Sequence, residues 1–178
     1  MMMTFTIQHL NECIRGALVA HFLALPMKDR SMRFGSSLAP AVITRYVDGI
    51  DFRRDAVFGV HDAKLELIGV AHLAIEHGAG ELALSVLPAH RRCGIGSSLI
   101  RRAVAHARKQ GTSRLFMRCR SENASIMRMA QRFDMDIIAS GGDAEAKLDL
   151  RSPQRTAPAF ERTLSLVFRA AEPSRLLP

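Results

Sequence analysis

The chain has 178 residues, 48% of them apolar and 24% charged, with a formal net charge of +8 and a pI of about 10.4. The length suits one domain with its own hydrophobic core, the balance excludes a disordered or fibrous chain, and no apolar run reaches the length of a membrane span. The basic excess favours anionic ligands but does not choose among phosphates, nucleic acid and anionic surfaces.

In chain order, Leu10, Ile14, Ala17, Leu18, His21, Phe22 and Leu25 recur at helical spacing and predict a helix over 8–25. Pro26 and the charged Lys28-Asp29-Arg30 are expected to end it, and Gly35-Ser36-Ser37 is loop chemistry. A second helix is expected over 38–48, with Pro40 early, where its missing N–H is harmless. The texture then changes. Ala56–Val60 and Leu65–Ile75 are strand-like runs around the turn His61-Asp62-Ala63-Lys64, an antiparallel hairpin. Gly78-Ala79-Gly80 reads as a turn, Glu81–Leu87 as a third strand, and Pro88 as its end. A helix is predicted over 96–110 with Leu99, Ile100, Ala103, Val104 and Ala107 inward, then a strand over 114–119 and a helix over 123–133. Short strands over 135–139 and 147–150 flank Gly141-Gly142, and a last helix is expected over 159–171.

A strand–helix–strand unit implies a parallel pair and the hairpins imply antiparallel pairs, so a mixed α/β sheet with helices on both faces follows. Residues 1–150 are expected to form one domain and 151–178 a carboxyl-terminal extension. Its apolar Leu164, Leu166, Val167 and Phe168 could pack on the core or on a second copy. Cys13, Cys93 and Cys119 are odd in number and widely spaced, which suggests neither a disulfide framework nor a zinc cluster. The start has no basic stretch followed by an apolar run, so a soluble cytoplasmic protein is the expectation. The seven histidines show no metal-ligand spacing, and no metal is expected.

The most informative stretch is the third strand running into Arg91-Arg92-Cys93-Gly94-Ile95-Gly96 and then directly into a helix. Glycines let main-chain N–H groups approach an anion, the helix start adds unpaired donors and partial positive charge, and arginines add full charge. A dinucleotide-binding reading of the same glycines fails. Position 99 is Leu where a third glycine is required, no acidic residue closes the next strand, and hairpins precede the motif.

Val86-Leu87-Pro88, then Arg91-x-x-Gly94-x-Gly96, then Ser121-Glu122-Asn123 with Ile126, Met129 and Ala130 resemble the acetyl-CoA-binding core of the GNAT acetyltransferase superfamily. The resemblance implies a mostly antiparallel mixed sheet whose two central strands form a splayed parallel pair. It implies acetyl-CoA as donor, with main-chain N–H groups of Arg92, Cys93, Gly94, Ile95, Gly96 and Ser97 on the pyrophosphate. It also implies Arg91 beside them, Ser85 and Val86 along the pantetheine, and Asn123 at the cofactor arm. More finely, Arg33-Phe34, Tyr46–Asp51 and Asp55–Phe58 resemble the upstream region of GNAT-type bacterial protein lysine acetyltransferases. By that match Glu81, in Glu81-Leu82-Ala83-Leu84-Ser85-Val86, is the general base.

The implied chemistry is acetyl transfer to a primary amine, on a protein lysine or a small molecule, by direct attack in a ternary complex. An amine with a pKa near ~10.4 must lose a proton first, which a partly buried carboxylate can take. A main-chain N–H near Val86 would polarise the thioester. The tyrosine that many such enzymes use as acid maps to Ala130, and the single tyrosine is Tyr46, so Ser85, Cys119, a water or plain thiolate departure must serve. His72, on the strand beside Glu81, is a further residue that could line the acceptor cleft. The missing tyrosine keeps open a non-catalytic acyl-CoA sensor of the same fold. Nucleic-acid binding is disfavoured, because aromatic residues are 6% with no Trp and are not interleaved with basic ones.

Overall fold

A computed structural model describes residues 5–36 and 38–151. The expected last helix over 159–171 and the apolar segment around Leu164–Phe168 lie outside the described residues. A seven-stranded sheet is built from β1 (Ile7–Leu10), β2 (Ala56–His61), β3 (Leu67–Glu76), β4 (Ala79–Val86), β5 (Arg114–Arg120), β6 (Asp136–Ser140) and β7 (Asp143–Asp149), in the order β1-β2-β3-β4-β5-β7-β6. All neighbours are antiparallel except β4 and β5. Helices α1 (Arg15–Ala24), α2 (Met27–Phe34) and α3 (Pro40–Asp48) precede the central strands, α4 (Ile95–Lys109) links β4 to β5, and α5 (Ala124–Arg132) follows β5.

Strand alternation sends β2–β4 side chains into two cores. Phe58, Leu73, Leu82 and Leu84 meet Leu99, Ile100, Ala103 and Ala107 of α4 on one face. Val57 and Val70 meet Leu18 and Phe22 of α1 and Ile43 and Val47 of α3 on the other. Strands buried on both faces explain the near-continuous apolar runs of β2 and β3.

The first third differs from the sequence expectation. Ile7–Leu10 is not the start of a helix but an edge strand, with Ile7 opposite Val60 and Leu10 opposite Val57. The side chain of Asn11 accepts from the N–H of Cys13 at 3.1 Å and starts a 3₁₀ turn, so α1 begins at Arg15. Pro26 does end α1, but it also stands at the N-cap of a new helix, because a proline fits helix starts. The charged segment after it is therefore α2. Gly80 belongs to β4 instead of a turn: a Cβ there would lie 2.9 Å from a Leu73 methyl, so a side chain is absent where β3 and β4 pack closely.

Candidate functional site

β4 and β5 are parallel partners from Ala79 opposite Arg114 to Glu81 opposite Phe116, where the pairing stops. Beyond it they splay around a cavity of about 950 Å³. Its walls include Leu82–Val86 of β4, Met117–Cys119 of β5, Gly94–Ser97 at the start of α4, Asn123 and Met129 of the α5 region, and Arg33 of α2.

The main chain sets the chemistry of the β4 side. The N–H of Leu87 donates to the carbonyl of Ile68 at 2.9 Å, so odd-numbered residues at this end of β4 turn their main chains toward β3. Leu84 and Val86 turn theirs toward the open gap. Ser85, expected to contribute main-chain contacts, is thus spent on β3 there, although the residue lines the cavity. The carbonyl of Val86 accepts from Arg91 Nε at 2.9 Å, which leaves its N–H as the group offered to a ligand.

The loop forms a donor cradle. Arg92 (φ 64°) and Gly94 (φ 84°) are left-handed, and α4 starts at Ile95. Among the described residues, no main-chain N–H from Arg92 through Ser97 has a protein acceptor. Such a run of donors at a helix start has the geometry that suits an anion. The residues of the cradle divide by role. Ile95 is 2% exposed and anchors α4, its Cγ2 2.7 Å from where a Cβ on Gly69 would stand. Gly96 is a packing glycine, since a Cβ on it would meet Met129 Sδ at 3.1 Å. Cys93 Sγ points back at the Arg91 carbonyl at 3.3 Å. Arg91 is a brace, because it also pairs with Asp29 of α2 at 2.9 Å. Arg92 lines the cavity, and Asn123 caps α5 by accepting from the N–H of Ile126 at 3.2 Å while facing the same space.

On the α1–α3 face, Glu81 is 42% exposed and paired with Arg118 Nη1 at 3.2 Å, and Arg118 also reaches Glu145. Glu81 stands beside the cavity wall that Arg118 forms, roughly 16 Å along the strand from Val86 at ~3.3 Å per residue. Ser85 Oγ lies 2.8 Å from His21 Nε2, whose Nδ1 lies 2.7 Å from the Leu67 carbonyl. A carbonyl only accepts, so Nδ1 carries the proton and Nε2 accepts from Ser85. Burial holds the His21 imidazole down at about 4, so it is neutral at physiological pH. The Ser85 proton is thereby engaged with His21. Burial raises the thiol of Cys119, which keeps it a neutral side chain. Ala130 is fully buried in the α4-side core and does not face the cavity, whereas Met129 does.

His21 was missed in the sequence, although a histidine in the apolar stripe Leu18-x-x-His21-Phe22 signals a buried polar group needing partners. A second cluster on this face, Arg33, Tyr46, His72 and Asp55, comes from four separate segments and had no local spacing to reveal it.

Comparison with known proteins decides the family. The family model described as the acetyltransferase (GNAT) family matches residues 26–135, more than half of the 178 residues. The chain belongs to the GNAT acetyltransferase family. Among solved structures, the GNAT domain of S. lividans PAT superposes with a TM-score of 0.71 at 18% identity, covering 83% of this chain and 91% of that one. YncA from Salmonella typhimurium, with its cofactor acetyl-CoA, gives 0.64 at 17% identity over 88% and 98% of the two chains. The PaiA N-acetyltransferase of Thermoplasma acidophilum, in complex with coenzyme A, gives 0.62 at 15% over 83% and 99%. At these identities the likeness is one of fold. No curated protein matches the sequence. Among the described residues, no helix of this GNAT protein is long and apolar enough to cross a membrane.

Proposed function

We propose that this GNAT protein transfers the acetyl group of acetyl-CoA to a primary amine, on a protein lysine or a small molecule, by direct attack in a ternary complex. The observation that carries the reading is the run of unclaimed N–H groups from Arg92 through Ser97, set at the mouth of the β4–β5 splay. A diphosphate on that cradle sends the pantetheine arm between the splayed strands, where Leu84 and Val86 offer main-chain groups as a strand partner would. The similarity to folds holding acetyl-CoA and coenzyme A supports the same donor.

The thioester oxygen then accepts from the Val86 N–H, which stabilises the negative charge that develops as the amine attacks. The C–N bond forms, the C–S bond breaks, and the thiolate takes the second amine proton. A thiol pKa near ~8.5 makes that departure feasible without a tyrosine acid. Because Ala130 is a core residue, its lacking a hydroxyl carries no weight for the non-catalytic sensor. Glu81, at the mouth of the cleft, is the carboxylate toward which the first amine proton leaves the site, by way of intervening groups and water.

The test is calorimetry with acetyl-CoA together with turnover on a lysine peptide. Ser97→Glu places a carboxylate beside the cradle without crowding Met129, as Gly96→Glu would. It should weaken acetyl-CoA binding at least about tenfold, as expected for a like charge at an anion site, with an unchanged melting temperature. Undiminished affinity removes the cradle, and tight binding without turnover establishes the sensor in place of the enzyme.

A further inference from the structure

On the α1–α3 face, four polar side chains form one hydrogen-bonded line. Arg33 Nη2 donates to Tyr46 Oη at 2.9 Å, Tyr46 Oη lies 2.7 Å from His72 Nδ1, and His72 Nε2 lies 3.1 Å from Asp55 Oδ2. Arg54 adds an ion pair to Asp55 at 3.0 Å. The Asp55 side chain is 4% exposed and that of His72 is 11% exposed.

The proton positions follow from valence. Asp55, accepting also from Arg54, takes the hydrogen of His72 Nε2. Nδ1 is then a lone pair, and the Tyr46 hydroxyl donates to it. Arg33 fills one lone pair of the Tyr46 oxygen, and one acceptor position remains. The Tyr46 ring is held edge-on by Phe22 and Phe34, with ring centroids 5.9 and 5.2 Å away. A carboxylate that orients an imidazole, which polarises a hydroxyl, is the arrangement by which enzymes draw a proton off an oxygen.

The line meets the site at Arg33, which lines the cavity, with Tyr46, His72 and Asp55 behind it; His72 stands opposite Ala83 in the β3–β4 register, between Glu81 and Ser85 on the same face. We infer that Tyr46, His72 and Asp55 are a proton relay that takes the first proton of the amine acceptor, with Glu81 beside its exit. This deepens the acetyl-transfer reading and rests on it.

The step balances. The ammonium gives its proton to the Tyr46 oxygen as the Tyr46 hydroxyl proton moves to His72 Nδ1, which leaves a neutral amine, an intact tyrosine and an imidazolium. The amine attacks, the thiolate leaves and takes the second proton, and His72 releases the first to water at its exposed edge. The products are an amide, coenzyme A thiol and one solvent proton. Arg33, a cation beside the ammonium, favours the amine's neutral form.

The charged and titratable groups facing His72 are Arg33 from α2, Tyr46 from α3, Arg54 and Asp55 ahead of β2, and Glu81 from β4. Burial, with Arg33, holds the imidazole below its ordinary range, while Asp55 and Glu81 work the other way, so His72 is neutral and able to accept at neutral pH.

The test is the pH dependence of acetyl transfer to two probes, a lysine peptide and a simple diamine, by wild type and Tyr46→Phe, which keeps the ring packing. The variant should lose about 10²-fold in kcat near neutral pH, the scale of positioned proton transfer, with KM for acetyl-CoA unchanged. The loss should shrink as pH rises toward the amine's own pKa, where no relay is needed. A merely structural tyrosine would lower the rate by one factor at every pH, and that result overturns the relay while leaving the transferase. A wild type that acetylates neither probe overturns both.

Discussion

At the residue scale, two histidines on one face, His21 buried and His72 partly so, are held by different partners. His21 pins Ser85 to the Leu67 carbonyl and stays neutral, whereas His72 sits between a carboxylate and a phenol. The His21 imidazole is held at about 4 in the folded chain and returns to its ordinary 6.5 on unfolding. Between those values the unfolded chain binds a proton that the native one does not. Stability therefore rises with pH across that window, is flat above it, and is lost as pH falls. Over the window His21 alone accounts for about 3 kcal/mol, to which partly buried His72 adds in the same direction. Urea unfolding at pH 7 and pH 4.5 should show the drop, and His21→Gln should flatten it; an equal slope in the variant would mean that His21 does not set it. Glu81→Gln is expected to cut kcat about tenfold with acetyl-CoA affinity intact, and its loss should not multiply with that of Tyr46→Phe if both lie on one proton path. Full activity across pH, checked by steady-state kinetics, would take Glu81 out of the reaction.

At the element scale, the strand–loop–helix that makes the cradle was legible because its signals are local. Two glycines, two arginines and an apolar helix face lie within one short stretch, and the structure keeps α4 within a residue of the expected bounds. What the local pattern could not show was the job of each glycine: Gly94 supplies the left-handed turn, while Gly96 supplies close packing on Met129. The amino-terminal third was less legible. Leu10 continues the helical spacing of Ile14 and Leu18, yet pairing with Val57 on the edge of β2 outweighs that periodicity, a tertiary effect absent from the segment itself. The mostly polar α2 shows little apolar periodicity, and it is held by the Arg33 stack and the Asp29–Arg91 pair. The coupling of β3 to the cradle is testable at Gly69. A Cβ there would stand 2.7 Å from Ile95 Cγ2, so Gly69→Ala should cost about 1–3 kcal/mol in stability and weaken acetyl-CoA binding by shifting the α4 start. Denaturant melts and calorimetry check both; wild-type values in each would show that Ile95 moves aside freely.

At the scale of the whole molecule, the sheet separates two jobs. The α4 face builds the larger core and carries the helix start proposed to take the phosphate; the α1–α3 face carries His21, His72 and Tyr46. The splay between β4 and β5 joins them, and cavity-lining Arg92, Arg118, Arg128 and Arg132 give the +8 chain an anion-attracting wall around it. The mixed topology and family were legible from element order and one motif. The relay was not, because its residues are far apart in sequence and meet only when β3 lies under α3. The most direct measurement is a crystal structure with acetyl-CoA bound. The diphosphate oxygens should lie about 3 Å from main-chain nitrogens between Arg92 and Ser97, with the thioester oxygen on the Val86 N–H. Acetyl-CoA bound with its diphosphate away from those nitrogens would contradict the account.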